Sequence, residues 1–269
     1  TARSMPSEDL ELLIDIVSSV ADSELPQRFN CRDSRVKADG SLVTEADLAA
    51  EEAIFKELER APEAFNVISE EAGYLDRNSA YTWVVDPLDG TSNFAAGLPW
   101  FGVIIALFEE DNPILGGMYL PVDDALYLSE AGGGATRNGK PIGPTKSADL
   151  SQHLVSYSFD FSEDQKKTSS EMDIMGRLSR EVRNIRSTNS LLDFCYVADG
   201  RLGAALNQAT RIWDIAAPWL IIREAGGKVT DIRGEEITFM PLADELERNY
   251  TIIAAHANLH PDLISCIQS

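Results

Sequence analysis

Apolar residues recur at helical spacing near the start of the chain. Over residues 8–24, Leu10, Leu13, Ile14, Val17, Val20 and Ala21 share one face, which predicts an amphipathic helix capped by Ser7. Asp39-Gly40 then predicts a tight turn. A second helix is predicted from Thr44, with Ala46, Ala50, Ala53, Ile54 and Leu58 on its buried face. Thr44-Glu-Ala-Asp47 has the form of a capping box, which alone would account for Asp47. The apolar runs then shorten. Asn66–Ser69 and Tyr81–Val85 read as buried strands. Phe101–Leu107, Ile114–Leu120 and Ala125–Ser129 read as an antiparallel meander, turned at Asp111-Asn-Pro113 and at Pro121-Val-Asp-Asp124. Asn138-Gly139 extends the meander by one more hairpin. From about residue 145 the pattern alternates. A strand at Leu154–Phe159 precedes a helix spaced by Met172, Met175, Leu178 and Val182, and Val182–Ile185 runs toward another strand. A helix over Ser190–Ala198, a buried Gly203–Leu206, a helix from Trp213 to Glu224, a strand at Thr251–Ala255 and a terminal helix complete the chain. Asp214 at the start of its helix is a natural N-cap, and Pro218 fits within the first turn or so. The change of pattern divides the chain into an α+β half (1–145) and an α/β half (146–269), read as one compact catalytic unit.

Composition narrows the functional classes. Lys and Arg number 23 against 44 Asp and Glu, so the net charge is −21. Such a surface repels nucleic acid and anionic membrane, and direct nucleic-acid binding is not expected. An anionic substrate would need bound cations to approach. No apolar run reaches the roughly 20 residues that span a bilayer, and no basic segment precedes an apolar one at the N-terminus. Cys31, Cys195 and Cys266 are far apart and lack C-x-x-C spacing, which fits reduced thiols in a cytoplasmic protein. Gly132-Gly-Gly134 is not a G-x-G-x-x-G opening a helix, so a dinucleotide fingerprint is excluded.

The chemistry concentrates in Trp83-Val-Val-Asp86-Pro-Leu88-Asp89-Gly90-Thr91-Ser-Asn-Phe94. A strand ends in two aspartates three residues apart, and Gly90-Thr91 follows as the opening of a helix. Carboxylates gather Mg²⁺-like cations, and free N–H groups at a helix start gather phosphate oxygens. Asp-Pro-Leu-Asp-Gly is equally the composition of a polar turn, and this stretch alone does not choose between the two. Glu70 also follows a strand end, and Asp214 opens a later helix. Four carboxylates brought together would repel or protonate unless divalent cations joined them.

The set Glu70-Glu71, Asp86-Pro-Leu-Asp89-Gly-Thr-Ser-Asn-Phe94 and Trp213-Asp214-Ile-Ala-Ala…Glu224-Ala-Gly-Gly227 resembles the inositol monophosphatase family over about Leu42–Val229. The resemblance implies a layered αβαβα sandwich of the inositol monophosphatase and fructose-1,6-bisphosphatase type, usually a homodimer. It implies a lithium-sensitive phosphoric monoester hydrolase using two to three Mg²⁺ per site. Carried over, Glu70, Asp86 and the Leu88 carbonyl would hold a first metal, and Asp86, Asp89 and Asp214 a second. A third, weaker Mg²⁺ would sit near Glu70 among waters. Glu70 and Thr91 would orient and deprotonate the attacking water, with Asp47 supporting Thr91. The Gly90 and Thr91 N–H groups would receive the phosphate.

The leaving-group side departs from the family pattern. Inositol-preferring members carry an acid seven positions before the aspartate of the Trp-Asp motif, where this chain has Asn207. They follow the Arg-Ser motif with Gly-Ser/Thr-Ala, where this chain reads Arg186-Ser-Thr-Asn189-Ser-Leu191. Leu191 is expected to change the pocket's shape and Asn207 its charge. Arg211 could attract a second phosphate or a carboxylate, or be a solvated surface residue. The expected substrate is a small sugar or polyol monophosphate, with inositol-1-phosphate first. The alternatives are fructose-1,6-bisphosphate, 3′-phosphoadenosine 5′-phosphate, or a mainly regulatory protein-binding role.

Overall fold

A computed structural model of the chain describes residues 7–23, 25, 34–36, 42–61, 64–143, 145 and 147–269. The turn expected at Asp39-Gly40, Cys31 and the side chains of Ser7 and Ala21 lie outside the described residues. The first helix, α1 (Ser7–Ser23), starts one residue before its predicted bound and buries Leu13, Ile16, Val17 and Val20. β1 (Ser34–Val36) and β2 (Leu42–Thr44) pair as a short ribbon that leads into α2 (Glu45–Leu58). Thr44 and Asp47 form the expected capping box, Asp47 accepting from the Thr44 N–H at 2.7 Å.

An eight-stranded sheet follows: β3 (Asn66–Ser69), β4 (Gly73–Leu75), β5 (Tyr81–Asp89), β6 (Gly102–Glu109), β7 (Asn112–Leu120), β8 (Ala125–Glu130), β9 (Gly134–Arg137) and β10 (Lys140–Pro141). The order is β10-β9-β8-β7-β6-β5-β3-β4. Every pairing is antiparallel except β3 with β5, which run parallel with Ser69 opposite Val85. Between β5 and β6 lies the short α3 (Thr91–Ala96). A second sheet, ordered β12-β11-β13-β15-β14, is built from β11 (Leu154–Ser158), β12 (Asn184–Arg186), β13 (Ala204–Thr210), β14 (Gly227–Thr230) and β15 (Tyr250–His256). Its helices are α4 (Gln165–Glu181), α5 (Leu192–Ala198), α6 (Ile212–Glu224) and α7 (His260–Gln268).

Strand alternation sorts the apolar residues into three cores. Along β5 and β6, Trp83, Val85, Val103, Ile105 and Leu107 pack with α1 and α2, whereas Val84, Ile104, Ala106 and Phe108 pack toward α5 and α6. A strand covered on both faces needs an unbroken apolar run, as β6 has. Ala205, Ile252 and Ala254 close the middle core from the second sheet. Its far face, with Tyr157, Leu206 and Ile253, packs on Ile174 and Leu178 of α4 and Leu263 and Ile267 of α7. The layers are therefore αβαβα, as expected.

Several local expectations change. The meander turns at Glu110–Asp111, with Glu110 at φ 53°, and Asn112 and Pro113 belong to β7 beyond a register shift. β5 does not stop at Val85 but continues, with an irregularity between Asp86 and Asp89, to Asp89. Pro218 is the seventh residue of α6, well inside it, so the Asp214 carbonyl has no i+4 donor. The Gly132-Gly-Gly134 run has a structural use: the N–H groups of Gly132 and Gly134 each donate to Glu224 at 2.9 Å, tying the β8–β9 hairpin to the end of α6. Cys195 and Cys266 are free thiols.

Close packing sets two glycines in the sheet. A Cβ on Gly102 would stand 2.0 Å from the Tyr119 carbonyl oxygen, and one on Gly117 would stand 2.6 Å from Leu13 Cδ2. The first obstacle is backbone and the second is the tip of a flexible side chain. Gly102→Ala should therefore cost about 2 kcal/mol or more, and Gly117→Ala about 1 kcal/mol or less, in urea unfolding. Equal costs would contradict this packing.

Candidate active site

The parallel register of β3 and β5 brings Glu70, which follows Ser69, beside Asp86, which follows Val85. α6 brings Asp214 to the same place. One oxygen from each of Asp86, Asp89 and Asp214 lies within 4.8 Å of the others. Each of these carboxylates is pinned by an oxygen to a backbone N–H. Asp86 Oδ1 accepts from Leu88 at 3.0 Å, Asp89 Oδ2 from Leu191 at 2.5 Å, and Asp214 Oδ2 from Arg211 at 2.6 Å. Asp214 is thus the third residue of its helix and not the N-cap, which is Arg211. Glu70 lines the same cavity beside this close trio. Its loop is fixed by Glu51, whose Oε1 accepts from the Ala72 N–H at 2.9 Å and from the Ser69 hydroxyl.

Gly90, at φ 82°, takes the left-handed turn that starts α3. The first helical hydrogen bond there runs from the Phe94 N–H to the Gly90 carbonyl, so the N–H groups of Thr91, Ser92 and Asn93 precede it. Thr91 Oγ1 lies 2.9 Å from Asp47 Oδ1 and 3.0 Å from the Leu88 carbonyl. Asp47, 1% exposed, is at once the third residue of the α2 capping box and the partner of Thr91.

Glu70, Asp86, Asp89, Gly90, Thr91 and Asp214 line a cavity of about 910 Å³, which also takes in Leu88, Asn189 and Asn207, while Asp47 stands behind Thr91 outside the lining. Asn189 stands at φ 51°, and its Nδ2 donates to Asp160 Oδ1 at 2.7 Å. Asn207 sits at the bulged end of β13 and reaches Asn189 Oδ1 at 3.5 Å. Two expectations require correction. Leu191 does not shape the pocket with its side chain, which is 1% exposed and packed in the middle core; its backbone N–H holds Asp89 instead. Arg211 is not among the lining residues, because its guanidinium donates to the Glu247 carbonyl at 2.5 Å. Sequence reading missed Glu51, Ser158, Asp160, Phe161 and Asp193. Only the strand end at Phe159 pointed toward any of them.

The electrostatics follow from this crowding. Burial first, then the charges of Glu70, Asp89 and Asp214, push the Asp86 carboxyl far above the usual range. Burial pushes Asp89 up to about 7 against the opposing Leu191 N–H bond, and Glu70 and Asp193 add to the rise. Burial and then Asp89 raise Asp214 well above normal, against the Arg211 N–H bond. Asp47 is raised by burial, opposed by its bonds from Thr44 and Thr91. The donor set is all oxygen and anionic, without His or Cys among the close trio, which fits a hard divalent cation of the Mg²⁺ class.

A five-layered sandwich with carboxylates gathered at the ends of its strands and helices defines the inositol monophosphatase and fructose-1,6-bisphosphatase type of α/β protein. The model of the inositol monophosphatase family matches residues 5–269, and the chain belongs to that family. It is 36% identical over 211 residues to the probable inositol 1-monophosphatase ImpA of Mycobacterium tuberculosis, covering 77% of each chain. It is 35% identical over 201 residues to the Nus factor SuhB of Pasteurella multocida, covering 74% of this chain and 75% of the relative. The solved suhB protein of Bartonella henselae superposes with a TM-score of 0.87 at 28% identity, over 98% of this chain and 99% of that one.

A carboxyl that titrates higher in the folded protein holds its proton more tightly there, so stability falls as pH rises from the unfolded value of about 4 to the folded one. For Asp89 that window closes at about 7. In the presence of a chelator, the melting temperature at pH 5.5 should exceed that at pH 8 by several degrees. Mg²⁺ or Asp89→Asn should narrow the gap. A gap unchanged by both would place the pH dependence in the overall charge of −21 instead.

Proposed function

We propose that this chain is a Mg²⁺-dependent phosphatase acting on a small sugar or polyol monophosphate, with inositol-1-phosphate the leading single candidate. The observation that carries the reading is the trio Asp86, Asp89 and Asp214, each anchored by one oxygen and gathered beside the start of α3. Asp86, Asp89, Asp214, Glu70 and the Leu88 carbonyl would hold the cations. Bound divalent cations supply Lewis-acid polarisation of the phosphoryl group and a lowered pKa for water.

The chain's own residues supply the rest. The N–H groups of Gly90 and Thr91 would receive phosphate oxygens. The Thr91 hydroxyl proton is engaged by Asp47 and the Leu88 carbonyl, which leaves the oxygen's lone pairs for the attacking water. Glu70, on the cavity wall, would take the water's proton. Cytoplasmic location, a homodimer, lithium sensitivity and two to three Mg²⁺ per site belong to the same reading.

A mainly protein-binding role is the second reading, favoured by relatives that carry the name Nus factor. Against it, a pure binding module has no use for one buried and two half-buried carboxylates crowded together, because their desolvation and repulsion oppose folding. Asp89→Asn should lower phosphate release by a hundredfold or more, on the order expected for loss of a cation ligand, with the circular dichroism spectrum unchanged. A chelator should abolish release and Mg²⁺ restore it. Full activity of the variant, or of the chelated protein, would defeat the metal-assisted mechanism.

A further inference from the structure

We propose that Glu51 is a positioning residue for Glu70, and that α2 holds the two water-activating groups at one fixed separation. The inference rests on the phosphatase reading above, in which Glu70 and Thr91 share the attacking water, and deepens it. Glu70 leaves β3 into the three-residue turn 70–72, which is closed by the pair Ser69 and Gly73. Its own N–H still reaches the Val85 carbonyl at 3.3 Å, one step beyond the parallel register. A glutamate carried by so short a turn points wherever the turn points.

Glu51 holds that turn on both sides of Glu70. Its Oε1 accepts from the Ser69 hydroxyl, one residue before, and from the Ala72 N–H at 2.9 Å, two residues after. Ser69 is fully buried, so its hydroxyl needs this acceptor. Ala72 is exposed, and water would satisfy its N–H equally well. The second bond therefore adds little stability, and what it supplies is placement.

Glu51 stands one helical turn after Asp47 on the same face of α2. Asp47 Oδ1 accepts from the Thr91 hydroxyl at 2.9 Å. One helix thus grips both arms of the cavity, the β3–β4 turn through Glu51 and the start of α3 through Asp47. The helix itself is fixed. Its capping box sets its start, and Ala46, Ala50, Ile54 and Leu58 are buried in the core that holds Val85 and Leu88. An acid whose backbone drifts by about 1 Å loses the alignment on which a shared water depends.

The test compares Glu51→Ala, Glu51→Gln and Glu52→Ala, the last removing the same charge from the exposed neighbouring position. The readouts are Mg²⁺ binding by calorimetry and Mg²⁺-supported phosphate release from inositol-1-phosphate and p-nitrophenyl phosphate. Glu51→Ala should lower kcat by about tenfold or more, change KM by less than about threefold, and weaken Mg²⁺ binding severalfold. Glu51→Gln keeps an oxygen that can take both bonds and should recover most of each loss. Glu52→Ala should leave both readouts unchanged. In a Glu70→Ala background, Glu51→Ala should not weaken Mg²⁺ binding further. Unchanged kcat and Mg²⁺ binding in Glu51→Ala, an equal loss in Glu51→Gln or Glu52→Ala, or additive losses in the double variant overturn this inference and leave the phosphatase reading intact. If the unaltered protein releases no phosphate from either ester, the phosphatase reading fails, and Mg²⁺ binding alone decides whether Glu51 sets Glu70.

Discussion

Three carboxylates share a space in which their charges repel, and the surrounding structure holds them there against that repulsion. The anchors are backbone N–H groups, which cannot swing away as side chains can. Asp86 is held from within its own strand, Asp214 from the cap of its own helix, and Asp89 from Leu191, 102 residues further along. The last bond joins the half of the chain containing the first sheet to the half containing the second. Neither half builds the site alone, and the middle core between the sheets fixes their relative position. Burial first and mutual repulsion second raise these carboxyl groups, and a divalent cation would relieve both.

The same constraint explains why bland and functional readings of these residues coexist. Asp47 caps α2 and also receives the Thr91 hydroxyl. Asp214 accepts from the Arg211 N–H and also faces Asp86 and Asp89. A capping bond occupies one carboxylate oxygen and leaves the second for chemistry. Structural and catalytic use are therefore not competing explanations, and capping helps by fixing the orientation of the acid.

The helices and strands that carry the site were legible because two-sided burial makes long apolar runs, and because Gly90 and Thr44 have strong local signals. Glu70 beside Asp86 followed from two strand ends. What was not legible depended on direction. Leu191 looked like a bulky pocket residue, yet its side chain points into the middle core and only its N–H reaches the site. Arg211 looked free for an anion, yet a carbonyl 36 residues further on takes its guanidinium. Glu51 acts across 18 and 21 residues on Ser69 and Ala72, a pairing no local pattern encodes.

The division between what was and was not legible follows the two ends of the cavity. The end proposed to take phosphate is built from short-range motifs, since a strand end, a turn and a helix start are contiguous in sequence. The other end is built from the segment after β11, Asn189 and the bulge of β13, which meet only through the second sheet. Changes there leave the backbone anchors of the carboxylates in place, because Asp160 and Phe161 are exposed and the trio is anchored elsewhere. A fold built this way can keep its phosphoryl chemistry while its leaving-group wall varies. Asn189 stands at φ 51°, a conformation few side-chain-bearing residues adopt, and asparagine is one of them. Its amide holds Asp160 at the cavity wall, so a backbone turn and an acid's orientation depend on one residue.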